Sequence, residues 1–254
     1  MLLTTDIGNS NIVIGGIFQN DVRFTARFVT DKNVTSDMLA ISLKNILSLY
    51  NFSDKDFNGA IISSVVPPVT QTMKNAIAKV LGITPIIIGP GIKTGLNIAI
   101  DNPAQTGSDM VADNVAAYNT YKRAVVVIDM GTATVISVTD KNGNFRGGSI
   151  HPGVTTSLNA LSQNTAQLPF IDIEKPKKVV GTNSIDCMRS GIVYGTAAMI
   201  DGMLSRIRTE TGYDFVCVAT GGHAKYIIPH CKEKIIHDEN LLLKGLNIIY
   251  NLNK

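Results

Sequence analysis

The sequence predicts an α/β protein of two similar domains with mixed sheets, and two observations carry that prediction. The first is a short phrase that occurs twice. Asp6-Ile7-Gly8-Asn9-Ser10-Asn11 follows the apolar start Met1-Leu2-Leu3, and 123 residues further on Asp129-Met130-Gly131-Thr132-Ala133-Thr134 follows Ala124-Val125-Val126-Val127-Ile128. An interval close to half of the 254 residues points to a duplication whose halves face each other. The second is that hairpin-linked strands followed by alternating helices and strands recur in both halves, the pattern of mixed sheets covered by helices. The expected domains are residues 1–115 and 116–254.

The repeated phrase has a mechanism of its own. Glycine lets the backbone turn tightly and approach a ligand, and small polar neighbours leave successive N–H groups to cradle phosphate oxygens. An Asp at the strand end is a hard oxygen ligand for a cation that travels with phosphate. A single Asp-Gly or Gly-Asn turn would read as an ordinary hairpin. Two copies, each behind an apolar strand, favour the ligand site.

The elements follow from pattern. Strands are expected at 2–6, 12–18 and 22–29, with turns at Gly8-Asn9 and Asn20-Asp21. Met38, Leu39, Ile41, Leu43, Ile46 and Leu47 set a helix over 36–49 opened by Thr35 or Ser36. A buried strand at 59–64 precedes Pro67-Pro68, which suit the first turn of a helix reaching 81. A further strand lies at 85–88. The second half offers strands at 124–130, 134–139 and 145–150, then a helix after Pro152-Gly153. A long helix over 184–208, a strand at 215–219 ending in Thr220-Gly221-Gly222, and a closing helix at 241–250 follow. Residues 89–109 and 165–183 are long irregular stretches, the usual form of binding loops or linkers. The helix starting near Ser108 is expected to cross between domains.

Composition excludes several classes. A content of 44% hydrophobic and 17% charged residues supplies one or two ordinary cores. With a formal charge of +3 and one short basic cluster, Lys175-Pro176-Lys177-Lys178, a solvated loop explains the basic residues better than nucleic acid does. Absent Trp argues against a base-stacking platform. Cys187, Cys217 and Cys231 have no zinc-like spacing and read as reduced thiols. Cys231 beside His230 reads as neighbours in sequence and not as a catalytic pair. No apolar run approaches the roughly 18 residues of a membrane span, and Met1-Leu2-Leu3 is too short for a signal peptide, so the expected location is the cytoplasm.

The chain resembles the superfamily of acetate kinase, sugar kinases, Hsp70 and actin, with duplicated ribonuclease-H-like (actin-like ATPase) domains and a nucleotide in the cleft between them. Within it the chain is most similar to type III pantothenate kinases over essentially its whole length. The motifs that carry the likeness are Asp6–Ser10, Ser63-Ser64-Val65-Val66-Pro67, Asn102-Pro103 with Gly107-Ser108-Asp109, Asp129–Thr134 and Gly147–Gly153. Gly181-Thr182-Asn183-Ser184 and Thr220-Gly221-Gly222 complete the series.

The resemblance implies transfer of the ATP γ-phosphate to pantothenate, a Mg²⁺ ion, a monovalent cation (K⁺ or NH₄⁺), and a homodimer. It implies that Asp6, Ile7, Gly8, Asn9, Ser10, Asn11, Ile12 and Val13 wrap the phosphates, with Asp6 holding Mg²⁺ directly or through water. Thr132 would contact a phosphate, and Gly221 and Gly222 would receive the adenine. Asp129 would hold the monovalent cation. Ile100, Gly107, Ser108, Asp109, Met110 and Ser184 would face the acceptor, with Asp109 as the base. Read alone, Asp109 is a helix cap; the resemblance favours the base. His151 and His223 read as hydrogen-bonded loop residues. Met110, Val111, Val115, Ala116 and Ala117 are the expected dimer face.

Three positions depart from the family pattern. Met110 stands where Arg is usual, Ile100 where Tyr is frequent, and Ser184 where Thr is usual. The first two remove polar contacts near the acceptor. Two further readings stay open: a kinase of the same fold for another small hydroxyl compound, and a nucleotide-binding regulator without catalysis.

Overall fold

A computed structural model describes residues 1–254, and the chain divides into two compact units, residues 1–119 with 240–254 and residues 120–239. The first unit runs β1 (Leu2–Ile7), β2 (Asn11–Phe18), β3 (Asp21–Val29), α1 (Ser36–Leu49), β4 (Gly59–Ser64), α2 (Pro67–Leu81), β5 (Ile86–Ile87), β6 (Asn97–Ile98) and α3 (Ser108–Tyr121). Its five-stranded sheet has the order β3-β2-β1-β4-β5, with β1 antiparallel to β2 and parallel to β4. The second unit runs β7 (Val125–Met130), β8 (Ala133–Thr139), β9 (Asn144–Pro152), α4 (Val154–Asn164), α5 (Ser184–Thr211), β10 (Val216–Thr220), α6 (Ala224–Ile227) and β11 (Ile235–His237). Its strands order as β11-β10-β7-β8-β9, with β7 antiparallel to β8 and parallel to β10. The two plans coincide strand for strand. Helix α7 (Leu241–Asn253) closes the chain.

Alternation along the strands decides how the first sheet is covered, because successive side chains leave opposite faces. Leu3, Ile7 and Ile62 point to one side, where Leu39, Leu43 and Leu47 of α1 and Val69, Met73 and Ile77 of α2 cover them. Leu2, Ile17 and Ile61 point to the other, where Val111 and Val115 of α3 meet Leu243, Leu246 and Ile249 of α7. In the second unit Val126, Ile128, Ile136 and Val138 pack against Ile192, Val193, Ala197, Ile200 and Leu204 of α5. Helix ends obey local chemistry. Thr35 accepts the Met38 N–H to open α1, Pro67 and Pro68 start α2, and Gly82 and Gly212 end α2 and α5 in the left-handed region.

Two expectations change. The unit boundary lies beyond Asn119 and not at 115, so α3 belongs almost wholly to the first unit, and α7 joins that unit too. The reason is burial: Leu243, Leu246 and Ile249 are 0–3% exposed against the first sheet, and each contributes about 1.5–3 kcal/mol by leaving water. The expected dimer face fails for the same reason. Val111, Val115, Ala116 and Ala117 are buried within their own chain, leaving only the half-buried Met110 outside that core. Short elements escaped the pattern reading: β6, α6 and β11 hold two to four residues each, too few to display a period.

The close approach of α7 to α3 has one specific cause. At Gly245 a β-carbon would collide with the Ala112 carbonyl, so only glycine lets the two backbones meet there. Replacing it with Ala raises helix propensity by up to about 1 kcal/mol, but a clash with backbone cannot be relieved by a rotamer change and costs about 1–3 kcal/mol. Gly245→Ala is therefore expected to lower stability in urea unfolding. An unchanged or raised midpoint would show that the helices can separate without loss.

Candidate active site

Both copies of the repeated phrase form the turn at the end of a central strand. In the first, Asp6 sits one residue before the end of β1, paired with Val13 across the hairpin and with Ser63 on the parallel side. The Gly8 N–H donates to the Asn11 carbonyl at 3.0 Å, and the Thr30 hydroxyl donates to the Gly8 carbonyl at 2.7 Å, latching the turn from the end of β3. Asn9 and Ser10 are exposed, whereas Ile7 and Ile12 are fully buried. The two isoleucines can therefore serve a ligand only through backbone; their side chains hold the hairpin in the core.

The second copy is one residue tighter. Ile7 pairs with Ile12 across Gly8–Asn11, but Met130 pairs with Thr134 across Gly131–Ala133. Gly131 N–H accordingly donates to Ala133 at 3.0 Å. Its latch comes from the start of α4: the Gly153 N–H and the Thr156 hydroxyl both donate to the Thr132 carbonyl, at 3.2 and 2.7 Å. Thr132 itself is exposed. Asp129 is half-buried and lies opposite Thr220 on the parallel side. Gly221, at φ +89°, packs so closely that a β-carbon there would stand 2.6 Å from Met130 N and 2.7 Å from Asp129 Oδ1. Any side chain would be both strained and in collision, so the glycine is required by the position of the Asp129 carboxylate. Gly222 is exposed beside it.

Asp109 lies in the first turn of α3. It is not the residue that caps the helix: its Oδ1 accepts the next N–H, from Met110, at 2.8 Å. The carboxylate folds back over Gly107, where a β-carbon would collide with it. Burial pushes the Asp109 carboxyl above the ordinary carboxylate value of 3.8, against the opposing pull of the backbone N–H groups of Met110 and Asp109 itself. Desolvation thus gives the carboxylate a greater affinity for a proton than one left in water would have. Because folding raises this pKa, its contribution to stability is fully present below 3.8 and is lost as pH rises through the raised value.

The remaining expected residues fall in different places. Ser108 is buried, and its hydroxyl is engaged by Ser63 and by the N–H and carbonyl of Ser64 on β4. Met110 and Ile100 are half-buried. Ser184 is the exposed first residue of α5, which is capped by Asn183 accepting the Asp186 N–H at 2.9 Å. It borders a cavity of about 680 Å³ in the second unit, lined also by Leu161, Leu168, Thr182 and Cys187. His151 lies in β9 and not in a loop, bonded to Ser149 at 2.9 Å; His223 meets the Thr155 hydroxyl at 3.0 Å. Burial pushes the Cys231 thiol up to about 12, away from the thiolate form that a nucleophile needs. Missed by sequence reasoning were Ser63, Ser64 and Thr30. The paired serines were visible in their motif, but their partners Asp6 and Ser108 lie 44 to 57 residues away.

No group of three or more His, Cys, Asp or Glu residues could hold a metal ion by itself. Mg²⁺ that travels with phosphates takes one or two carboxylates and completes its shell with water and phosphate oxygens; the strand-end Asp6 would be one such carboxylate.

Duplicated mixed-sheet units, each with an Asp-x-Gly turn at the end of its central strand, have the actin-like ATPase and sugar-kinase fold. Solved structures of that fold cover 99% of the chain. They include a protein from Campylobacter jejuni described as a Baf family transcriptional activator (TM-score 0.62, 20% identity, 98% of that chain covered) and a Sinorhizobium meliloti protein described as a 2-dehydro-3-deoxygalactonokinase (TM-score 0.59, 12% identity, 98% covered). At such identities the likeness concerns the fold alone. Sequence comparison is sharper. The sequence model of the type III pantothenate kinase family matches residues 2–206. A type III pantothenate kinase of Bifidobacterium animalis subsp. lactis is 43% identical over 253 residues, covering 100% of both chains. That of Listeria monocytogenes serotype 4a is 39% identical over 254 residues, covering 100% of this chain and 98% of the relative. The chain belongs to the type III pantothenate kinase family.

Proposed function

We propose that this chain phosphorylates pantothenate at its primary hydroxyl with ATP, the first committed step of coenzyme A synthesis. The observation that carries the reading is the 43% identity to a type III pantothenate kinase along the full length of both chains. In the reaction the hydroxyl oxygen forms a bond to the γ-phosphorus, the bond from that phosphorus to the β–γ bridging oxygen breaks, and ADP leaves with that electron pair. The hydroxyl proton goes to Asp109. Backbone N–H groups of the turn beyond Gly8, whose own N–H is given to Asn11, hold phosphate oxygens, and Asp6 anchors the cation that accompanies them. Bound Mg²⁺ would neutralise the charge that develops on the phosphates. Thr132 offers a hydroxyl to the phosphates, and Gly221 and Gly222 offer backbone to the adenine.

The direct test is purified protein with ATP, Mg²⁺ and K⁺, assayed for transfer to pantothenate. Activity is expected. Its absence, with transfer to another hydroxyl compound, would favour the second kinase reading, which the apolar Met110 and Ile100 support. Asp109→Asn should fold and lose roughly 10²–10⁴-fold in turnover, the range for a positioned base. The acid limb of the wild-type kcat/KM profile should lie above 3.8, following the raised carboxyl. Near-native turnover in the Asn variant would reduce Asp109 to a first-turn residue of α3.

Asp129 is assigned to the monovalent cation: a half-buried carboxylate at a strand end, walled by Gly221, is a natural oxygen ligand. Adding K⁺ or NH₄⁺ to a Na⁺ buffer should raise activity strongly, and Asp129→Ala should abolish the response. Equal wild-type rates in all three salts would remove the assignment.

The active form is proposed to be a cytoplasmic homodimer. With the α3 face buried, other exposed apolar side chains remain for a partner: Ile150, Phe170, Val179 and Val180 of the second unit at 65–76% exposed, and Val29 and Leu49 of the first at 75–76%. A closed pair would use one such patch twice. Light scattering should find a dimer that Val179→Asp with Val180→Asp converts to monomer. A fully active wild-type monomer at assay concentration would refute it.

A further inference from the structure

A line of hydroxyl groups connects the strand-end carboxylate Asp6 to the start of α3. Ser63, fully buried on β4, places its Oγ 2.8 Å from Asp6 Oδ1. The same Oγ is 3.0 Å from the Oγ of Ser108, which opens α3 and is 9% exposed. Ser108 Oγ in turn accepts the Ser64 N–H at 2.9 Å. Ser64 is itself pinned: its Oγ accepts the Thr70 hydroxyl at 2.7 Å and the Val66 N–H at 3.1 Å.

Proton counting gives the line a direction. An ionised carboxylate only accepts, and each serine hydroxyl has one proton to give. Ser63 therefore donates to Asp6, and its contact with Ser108 is a hydrogen bond only when Ser108 donates. The Ser108 proton has two acceptors, Ser63 Oγ at 3.0 Å and the Ser64 carbonyl at 3.2 Å, and the shorter contact is the one to Ser63; its oxygen takes the Ser64 N–H. The order is Ser64 N–H to Ser108, Ser108 to Ser63, Ser63 to Asp6, every dipole aimed at the carboxylate. Buried hydrogen bonds aligned in this way polarise and strengthen one another, and the last of them is charge-assisted.

We infer that Ser63 and Ser108 form a polarised relay of positioning residues that fixes the Asp6 carboxylate relative to the first turn of α3, one residue from Asp109. Ser108 thereby changes from an expected acceptor contact to a strut between two parts of the site. The inference rests on the kinase reading for the roles of Asp6 and Asp109, but the relay itself is testable without it.

The experiment is a double-mutant cycle of Ser63→Ala and Ser108→Ala, read in two ways. In urea unfolding of the ligand-free protein, the two single losses should together exceed the loss in the double variant by roughly threefold or more in the unfolding constant, the signature of contacting residues in one network. In the assay, Ser63→Ala should raise the Mg²⁺ concentration for half-maximal activity roughly tenfold, the scale of a hydrogen bond to a charged group. Ser108→Ala should raise it less, and the double variant should match Ser63→Ala, because Ser108 reaches Asp6 only through Ser63. The acceptor KM should stay within about twofold of wild type throughout. Ser108→Thr, which keeps the hydroxyl, should restore the Mg²⁺ requirement; simple packing loss would not be rescued in this way. If Ser63→Ala fails to fold, Ser63→Thr replaces it as a hydroxyl-retaining control and the Ser108 pair of variants carries the test. Additive unfolding losses, or a Ser108→Ala variant with an unshifted Mg²⁺ requirement, would overturn the relay. An inactive wild type with intact coupling in unfolding would instead sink the kinase reading and leave the relay standing.

Discussion

Each unit carries its candidate residues where one buried strand ends. β1 and β7 are each bonded on both sides, antiparallel to a hairpin partner and parallel to the next strand. Neither strand can slide by one residue without turning its apolar set to the wrong face of the sheet. The carboxylates of Asp6 and Asp129 are therefore held at fixed heights, level with Ser63 and Thr220 on the neighbouring parallel strands. A loop could not hold them so firmly, since its dihedral angles would be free to drift. Chemistry placed at such a strand end inherits the rigidity of the core beneath it.

The two turns diverge from one another within this common frame. The first, spanning Gly8–Asn11, is the longer and has Thr30 as its latch. The second is tighter, clasped between Gly153 and Thr156 on one side and Gly221 on the other. A longer turn offers more backbone N–H groups to anionic oxygens; a tighter one brings a carboxylate closer to its neighbours. Duplication supplied two scaffolds of one plan, and one residue of difference in the hairpin changes what each turn exposes.

Asp109 illustrates how opposing influences set reactivity. The N-terminal turn of a helix favours an anion, and the N–H groups of Met110 and Asp109 lower the carboxyl pKa. Desolvation acts the other way and prevails. A group that was left in water would be fully ionised and weakly basic at neutral pH. Partial burial, made possible by the missing side chain at Gly107, gives it greater affinity for a proton.

The sequence by itself determined the duplication, the order of the long elements and the family. These follow from local signals: an apolar run before an Asp-Gly turn, a 3.6-residue period over 36–49 and Pro67-Pro68 at a helix start need no distant partner to be read. The candidate carboxylates Asp6, Asp109 and Asp129 were legible for the same reason, as residues of short motifs. Only the tertiary structure decided that α7 completes the first unit, that the apolar side chains of α3 are spent inside their own chain, and that Ser108 serves Ser63. Each of these joins residues tens to hundreds of positions apart. Apolar periodicity says that a helix has a face to bury, but the partner that buries it is chosen by packing in three dimensions, where sequence distance has no meaning.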